Sequence, residues 1–351
     1  MTGVARGITL SVSLAVALAA AVLLSSMVGQ LPVSPAEVIG SVLRAIGIRN
    51  DWAPDDRIVE STIWIVRFPR ILMGLAVGAA LAVAGAVMQA IFGNPLAEPG
   101  VVGVSSGAAL GAAAAIVFGG TIGLTAALGS WGIAVCAFAG GLVATLVVYL
   151  VSRANGRTEV VTLLLTGIAI NAFAGAGLAF LLFMGDTASR EQITFWQLGS
   201  LNGSLWREAL IVAPIAVLGT VVAIMLGKRY DLLALGERGA RHLGVNVEAL
   251  RIGSIVLVAL LTGVAVAFCG IIAFVGLVVP HVIRMIIGPS HRPLLVASAV
   301  GGAALLTFAD LAARTIVPGS DLPIGMLTSL IGGPFFFYLL YRQRKRSGGW
   351  A

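Results

Sequence analysis

The sequence predicts an all-α integral membrane protein of about ten transmembrane helices. Three observations carry that expectation. Hydrophobic residues make up 59% of the 351 positions and charged residues only 11%, whereas a soluble domain carries about a quarter charged residues. The mean hydropathy is +1.04. The apolar residues also come in blocks long enough to cross ~30 Å of hydrocarbon as helix, which takes about twenty residues.

Candidate spans fall at 8–29, 70–92, 101–119, 127–151, 160–184, 207–227, 250–268, 270–287, 294–313 and 323–341. The uncharged run Ile252–Ile283 is too long for one crossing. Gly270 and Pro280 interrupt it, so it divides at Phe268–Gly270. An even number of crossings puts both termini on one side. With that side cytosolic, the inside segments hold Arg6, Arg153, Arg157, Lys228, Arg229, Arg238, Arg241, Arg251, Arg284, Arg292, Arg342, Arg344, Lys345 and Arg346, leaving eight basic residues outside. The positive-inside rule selects that orientation. The isoelectric point of 10.2 follows from the same bias and points to anionic lipid, not nucleic acid. Residues 8–24 after Arg6 have the polarity of a signal peptide. They read better as a first span, because the rest of the chain already needs an anchor of that orientation. Cys136 and Cys269 stand singly in apolar blocks and offer neither a disulfide framework nor a metal site.

After the first span, Pro32–Glu60 carries five acidic residues and reads as an external short helix followed by a loop; Pro35 suits the first helical position after Ser34. Arg67-Phe68-Pro69-Arg70 opens the second span. Arginines at a membrane boundary snorkel to headgroups; on the external side, where the charge bias disfavours them, recognition is the alternative. Gly74 and Gly78 are four apart, as are Gly103, Gly107 and Gly111, a spacing that lets helices approach closely in lipid. Between these groups lies Gln89–Gly103. Asn94-Pro95 and Glu98-Pro99-Gly100 forbid an unbroken helix there. Irregular backbone at membrane depth survives only where protein buries it or a cavity adjoins it. Gln89, Asn94 and Pro95 are therefore either pathway residues, as broken segments in transporters are, or part of a tight cytosolic turn.

Residues 153–159 form a short cytosolic turn into the fifth span, and Asp186–Glu191 an external loop. In Thr194–Ser204, Phe195 and Trp196 stand either as interfacial anchor or as a wall of the substrate pathway. Lys228–Arg251 is the longest charged island of the chain. Leu232, Leu233, Leu235 and Leu243 give it an apolar stripe, and Gly236, Gly239 and Gly244 break it into short helical pieces. A short amphipathic helix on a cytosolic face suits a docking partner; a plain connecting loop is the alternative. His281 after Pro280 reads as a packing or hydrogen-bonding residue. Asp310 and Arg314, four apart near an external end, can pair on one helix face. Leu322-Pro323-Ile324-Gly325 opens the last span.

Several chemistries have no motif here. There is no GxxxxGK loop to cradle phosphates, and no paired-carboxylate, Ser/His, Cys/His or His-cluster arrangement. The chain is expected to bind no cofactor or metal and to be no enzyme. Acidic residues are nearly absent from the apolar blocks, which speaks against a proton relay. A transporter built this way must draw its energy from a partner.

Several motifs in order carry a resemblance. They are RFPR at 67–70, GNPLAEPGVVGVSSGA at 93–108, LLLTGIAINA at 163–172, LALGERGARHLGV at 233–245, GIIAFVGLVVPHVIR at 270–284, DLAAR at 310–314 and LPIGMLTSLIGGPFF at 322–336. With them the chain, from the first span to Leu340, resembles the FecCD/BtuC-like permeases of ATP-binding-cassette (ABC) importers for iron–siderophores, haem and vitamin B12. The resemblance implies a single BtuC-like (type II) permease domain of ten helices over 1–351, paired as a homodimer around a central pathway in the bacterial cytoplasmic membrane. Two cytoplasmic ATPase subunits, which use ATP and Mg, would dock below it and a substrate-binding protein outside. Within 228–251 the resemblance places the coupling helices, with Leu235, Gly236, Glu237, Ala240 and Gly244 on the motif. Arg67, Arg70 and Arg314 match arginines that pair with glutamates of the binding protein, as bidentate Arg–carboxylate contacts would allow. Val160 and Val161 fall at the cytosolic gate. The run Arg190–Leu201 looks more like haem permeases, with ferric siderophores next and cobalamin behind. A secondary transporter working without an ATPase, or a membrane scaffold, are the rivals; the first lacks its ion site and the second leaves GNPLAEPG unexplained.

Overall fold

The computed structural model describes residues 3–121, 123, 127–129, 131–154 and 157–346. Fourteen helices follow in order among these residues: α1 (Gly3–Met27), α2 (Pro35–Ala45), α3 (Arg57–Ser61), α4 (Phe68–Phe92), α5 (Val104–Phe118), α6 (Trp131–Val151), α7 (Val160–Met184), α8 (Thr187–Leu198), α9 (Trp206–Leu233), α10 (Glu237–His242), α11 (Val247–Cys269), α12 (Val275–Ile287), α13 (His291–Ala313) and α14 (Ile324–Arg346). A π-helical stretch at Thr62–Arg67 joins α3 to α4, so Arg57–Phe92 forms one helical rod. Among the described residues, seven helices are long and apolar enough to cross a membrane: α1, the α3–α4 rod, α6, α7, α9, α11 and α13. Shorter apolar helices at α5, α12 and the first part of α14 occupy the other expected spans.

α2 begins as its sequence predicts. The Ser34 hydroxyl accepts the Glu37 amide, and the Glu37 carboxylate accepts the Ser34 amide, a reciprocal cap with Pro35 in the first turn. Hydrogen bonds from the Ser34 amide and hydroxyl to the carboxylate hold the Glu37 carboxyl below the usual carboxylate range. Elsewhere three boundaries differ from expectation. The loop expected at Asp186–Glu191 is the first half of α8, because the Asp186 carboxylate caps the helix by accepting the Ser189 amide at 2.8 Å. α9 continues past residue 227 to Leu233, with Tyr230 and Leu233 turned inward and Lys228 and Arg229 exposed. Residues 270–274 are not helical, and α12 starts at Val275. The turn at 153–159 is a two-residue hairpin, Arg153 opposite Thr158 and Ala154 opposite Arg157, whose tip at 155–156 lies outside the described residues.

α4 is the axis of the domain. Its span is 83% buried, against 6% for α1 and 17% for α7, although all three are similarly apolar. α13, α9, α11 and α12 pack around it. The closest approaches are at glycines. A Cβ on Gly78 would collide with the Gly302 carbonyl of α13, and Cβ atoms on Gly107 and Gly111 would collide with the Gly140 and Cys136 carbonyls of α6. Without hydrophobic drive between helices in lipid, such backbone-to-backbone packing supplies the attraction.

Candidate functional site

The charged island lies at one end of the helical domain. α9 ends at Leu233, the chain reverses at Gly236 (φ +95°), runs through α10 and turns again at Gly244 (φ +84°). Side chains rarely adopt these angles, so glycine is the residue that fits both corners. Gly239 sits inside α10 and is not a break. Asn246 then caps α11 by accepting the Ala249 amide at 3.0 Å. The expected leucine stripe divides: Leu233 is buried, whereas Leu235 and Leu243 are 68% and 58% exposed. Ala240 is fully buried and holds α10 against the domain. An apolar side chain standing out on each side of α10, in a ring of charges, presents a contact surface.

Ion pairs fix this segment to its neighbours. Glu237 accepts from Arg251 at 2.7 Å through one oxygen and from Arg241 at 3.1 Å through the other. Arg251, only 4% exposed, also donates to the Thr158 carbonyl at 2.8 Å. Thr158 in turn donates to the Glu248 carboxylate through its hydroxyl at 2.6 Å and its amide at 3.1 Å. α10, the start of α11 and the hairpin leading into α7 are thereby one polar unit. A second tie lies alongside: Asp231 near the end of α9 accepts the His291 amide, and the His291 ring Nδ1 lies 2.8 Å from the same carboxylate oxygen, at the start of α13.

A cavity of about 520 Å³ opens within this end. Gln89, Pro95 and Val160, expected on the pathway, line it together with Gly236 and Glu237, expected at the coupling site. Gln89 is buried, donates to the Leu277 carbonyl at 3.2 Å and accepts from Arg284 at 3.3 Å. Asn94 is exposed; its side chain accepts the Leu96 amide at 2.9 Å and shapes the turn. The irregular stretch then passes through a single 3₁₀ turn, Pro99–Val102, and Asn171 of α7 donates to its Gly100 carbonyl at 3.4 Å. Val161, next to Val160, is 67% exposed. Phe195 and Trp196 lie apart from this group on α8, Phe195 exposed and Trp196 packed beside Val266 and Ala267 of α11.

The opposite end carries the three arginines expected to meet the binding protein, and all three side chains are buried and bonded within the chain. Arg67 is 3% and Arg70 is 7% exposed, and the Arg314 side chain is 8% exposed. Arg70 donates from Nε to Asp310 Oδ1 at 2.8 Å and from Nη1 to Asp321 at 2.8 Å. Arg67 donates to the Ser26 and Leu31 carbonyls, and Arg314 to the Ser25 carbonyl at 2.7 Å. Asp310 and Arg314 do approach, at 3.7 Å, but Arg70 holds Asp310 more closely. A guanidinium that must leave water finds its carboxylates and carbonyls inside the chain. Sequence reasoning missed Asp321 as a partner, and likewise Thr158, because neither lies within helical reach of the residue it meets.

Helices of this arrangement occur in a solved structure described as an inward-facing conformation of a metal-chelate type ABC transporter. That structure matches this chain at a TM-score of 0.81 and 31% identity, over 94% of this chain and 98% of its own. Fold and site together define the membrane permease subunit of an ABC importer. It is not an enzyme; ATP hydrolysis lies in a separate subunit. The family model described as the FecCD transport family matches residues 17–342, and the chain belongs to that family. Among its relatives, the hemin transport system permease protein HmuU of Yersinia pestis is 41% identical over 87% of this chain and 91% of its own length. The cobalamin import system permease protein BtuC of Halobacterium salinarum is 41% identical over 80% of this chain and 74% of its own. The vitamin B12 import system permease protein BtuC of Escherichia coli is 38% identical over 82% and 85%. A more distant structure, PsaBC from Streptococcus pneumoniae, shares the fold at a TM-score of 0.55 and 16% identity.

Proposed function

We propose that this chain is the permease of an importer for an iron chelate, haem first and ferric siderophore second, with cobalamin behind them. The observation that carries the coupling part is the bonded unit Glu237–Arg251–Thr158–Glu248. It ties the island at 228–251 to the start of α7, beside a cavity that Gln89, Pro95 and Val160 line. ATP and Mg would act in two cytoplasmic subunits that seat on Leu235, Gly236, Glu237, Ala240 and Gly244. Their closure would displace α10 and α11, and the polar unit would pass that displacement to α7 and the cavity wall. The orientation follows from the basic residues, with both termini cytosolic and α2 and α8 outside. Two copies would pair around the pathway; the large exposed side chains of α7, among them Phe173, Phe180 and Phe183, support a further apolar partner for that helix, copy or lipid. A binding protein would meet the outer end, where the buried Arg67, Arg70 and Arg314 shape the surface from beneath.

The haem preference rests on the Yersinia relative and on the run Arg190–Leu201; two cobalamin relatives at similar identity make cobalamin the specific competitor. The test is ATPase stimulation of the assembled importer in proteoliposomes by binding protein loaded with haem, ferric siderophore or cobalamin in turn. Haem should stimulate most. A response to cobalamin alone would overturn the substrate assignment while leaving the permease intact.

A further inference from the structure

A second cavity, larger than the one beside the charged island, lies apart from it. It is a groove of about 780 Å³ between α1, α9 and the α12–α13 corner. Ile8, Leu14, Ile224, Ile287 and Val296 form apolar walls, and none of the lining residues is acidic. At its island-side end stands Arg292, exposed, with no hydrogen bond or ion pair among the described residues. Its stem lies against Gly227 of α9, where a Cβ would come 2.6 Å from Arg292 Cγ. Lys228 follows Gly227 directly, and Arg6 precedes Gly7, which lines the groove; both are exposed cations without a partner among the described residues. An apolar slot with an unpaired cation at one end, and two further exposed cations next in sequence to Gly7 and Gly227, matches an amphiphile with a negatively charged head.

We propose that this groove is a binding site for an anionic phospholipid, its acyl chain between α1 and α13 and its phosphate beside Arg292. Basic pockets between membrane helices on the cytosolic side recognise anionic headgroups, each cation near the surface contributing ~1 kcal/mol. The site does not depend on which cargo the importer carries. Only the leaflet that supplies the lipid, the inner one, rests on the orientation proposed above. Failure of the orientation would move the lipid to the other leaflet without emptying the groove.

The test is native mass spectrometry of the delipidated full chain titrated with phosphatidylglycerol, with phosphatidylcholine, and with inorganic phosphate. One phosphatidylglycerol should be retained in preference to phosphatidylcholine. Arg292→Gln should reduce that preference about five-fold, and Ser11→Phe, which narrows the groove, should reduce retention of both lipids. Because Arg292 makes no bond among the described residues, the Gln variant should keep the parent's helical circular dichroism. If it does not, Arg6→Gln with Lys228→Gln reads the same preference. Equal retention of the two lipids, a preference unchanged in these variants, or displacement of phosphatidylglycerol by inorganic phosphate at equal concentration would overturn the proposal.

Discussion

Replacing Arg70 by Met separates two roles for the outer arginines. Arg70 is 7% and Asp310 2% exposed, joined by bonds of 2.8 and 3.1 Å, and Arg70 also holds Asp321 at 2.8 Å. Removing one partner of a buried ion pair costs about 3–5 kcal/mol, because the other charge stays buried without compensation. Arg314 remains 3.7 Å from Asp310 and Asp321 is reached by solvent, so the lower end, about 3 kcal/mol, is expected. Asp310→Asn should be destabilising too, and the double variant should lose clearly less than the sum of the two. The assay is denaturant unfolding in mixed micelles followed by tryptophan fluorescence, in parallel with affinity for the binding protein at low and high salt. An exposed docking arginine would instead leave stability intact and weaken binding in a salt-dependent way. Arg70→Met with stability within about 1 kcal/mol of the parent and a collapsed, salt-sensitive affinity would refute the buried structural role.

Three further outcomes are expected. Glu237→Gln leaves the buried Arg251 with neutral acceptors and no counter-charge; since Glu237 is 45% exposed, solvent screening limits the loss to about 1–2 kcal/mol. Cargo moved per ATP hydrolysed should nonetheless fall, and an unchanged ratio would remove the lever's role. Gly78→Leu drives a side chain into the Gly302 carbonyl and should cost about 1–3 kcal/mol by overpacking, read as a lower unfolding temperature in detergent; no change would show that α4 and α13 do not cross there. The Asp186 carboxyl is held below the usual range by hydrogen bonds from the Ser189 side chain and amide. A depressed folded pKa makes the cap stabilising above the normal aspartate value, about 3.9, and lost as pH falls below it. α8 should then fray in acid, seen as faster hydrogen exchange of its first turn, and Asp186→Asn should flatten that dependence.

Hydropathy alone located the apolar helices, since each crossing demands a block of that length. It does not distinguish a helix in lipid from one in protein, so the burial of α4 had no signature beyond its glycines. Glycine spacing was informative at Gly78 of α4 and at Gly107 and Gly111 of α5, where backbones meet, but Gly74 faces the Leu201 side chain instead. α8 was hidden because Asp186 and Ser189 look like loop residues until the first is seen as a cap. Proline and glycine in GNPLAEPG fixed its irregular backbone in advance. The ion pairs were a different matter. Arg70 meets carboxylates 240 and 251 positions away, and Arg251 reaches a carbonyl 93 positions back. No periodicity spans such distances, so the arginines could be placed at a boundary but not assigned partners.

The central claim is that this chain is a passive gate moved through residues 228–251 by another subunit's ATP hydrolysis. Uptake of the chelate into proteoliposomes, compared for the permease alone and for the permease assembled with its ATPase and binding protein, with and without ATP, tests it most directly. Uptake should occur only in the complete assembly with ATP. Chelate accumulating at the same rate in vesicles that hold the permease alone would contradict it.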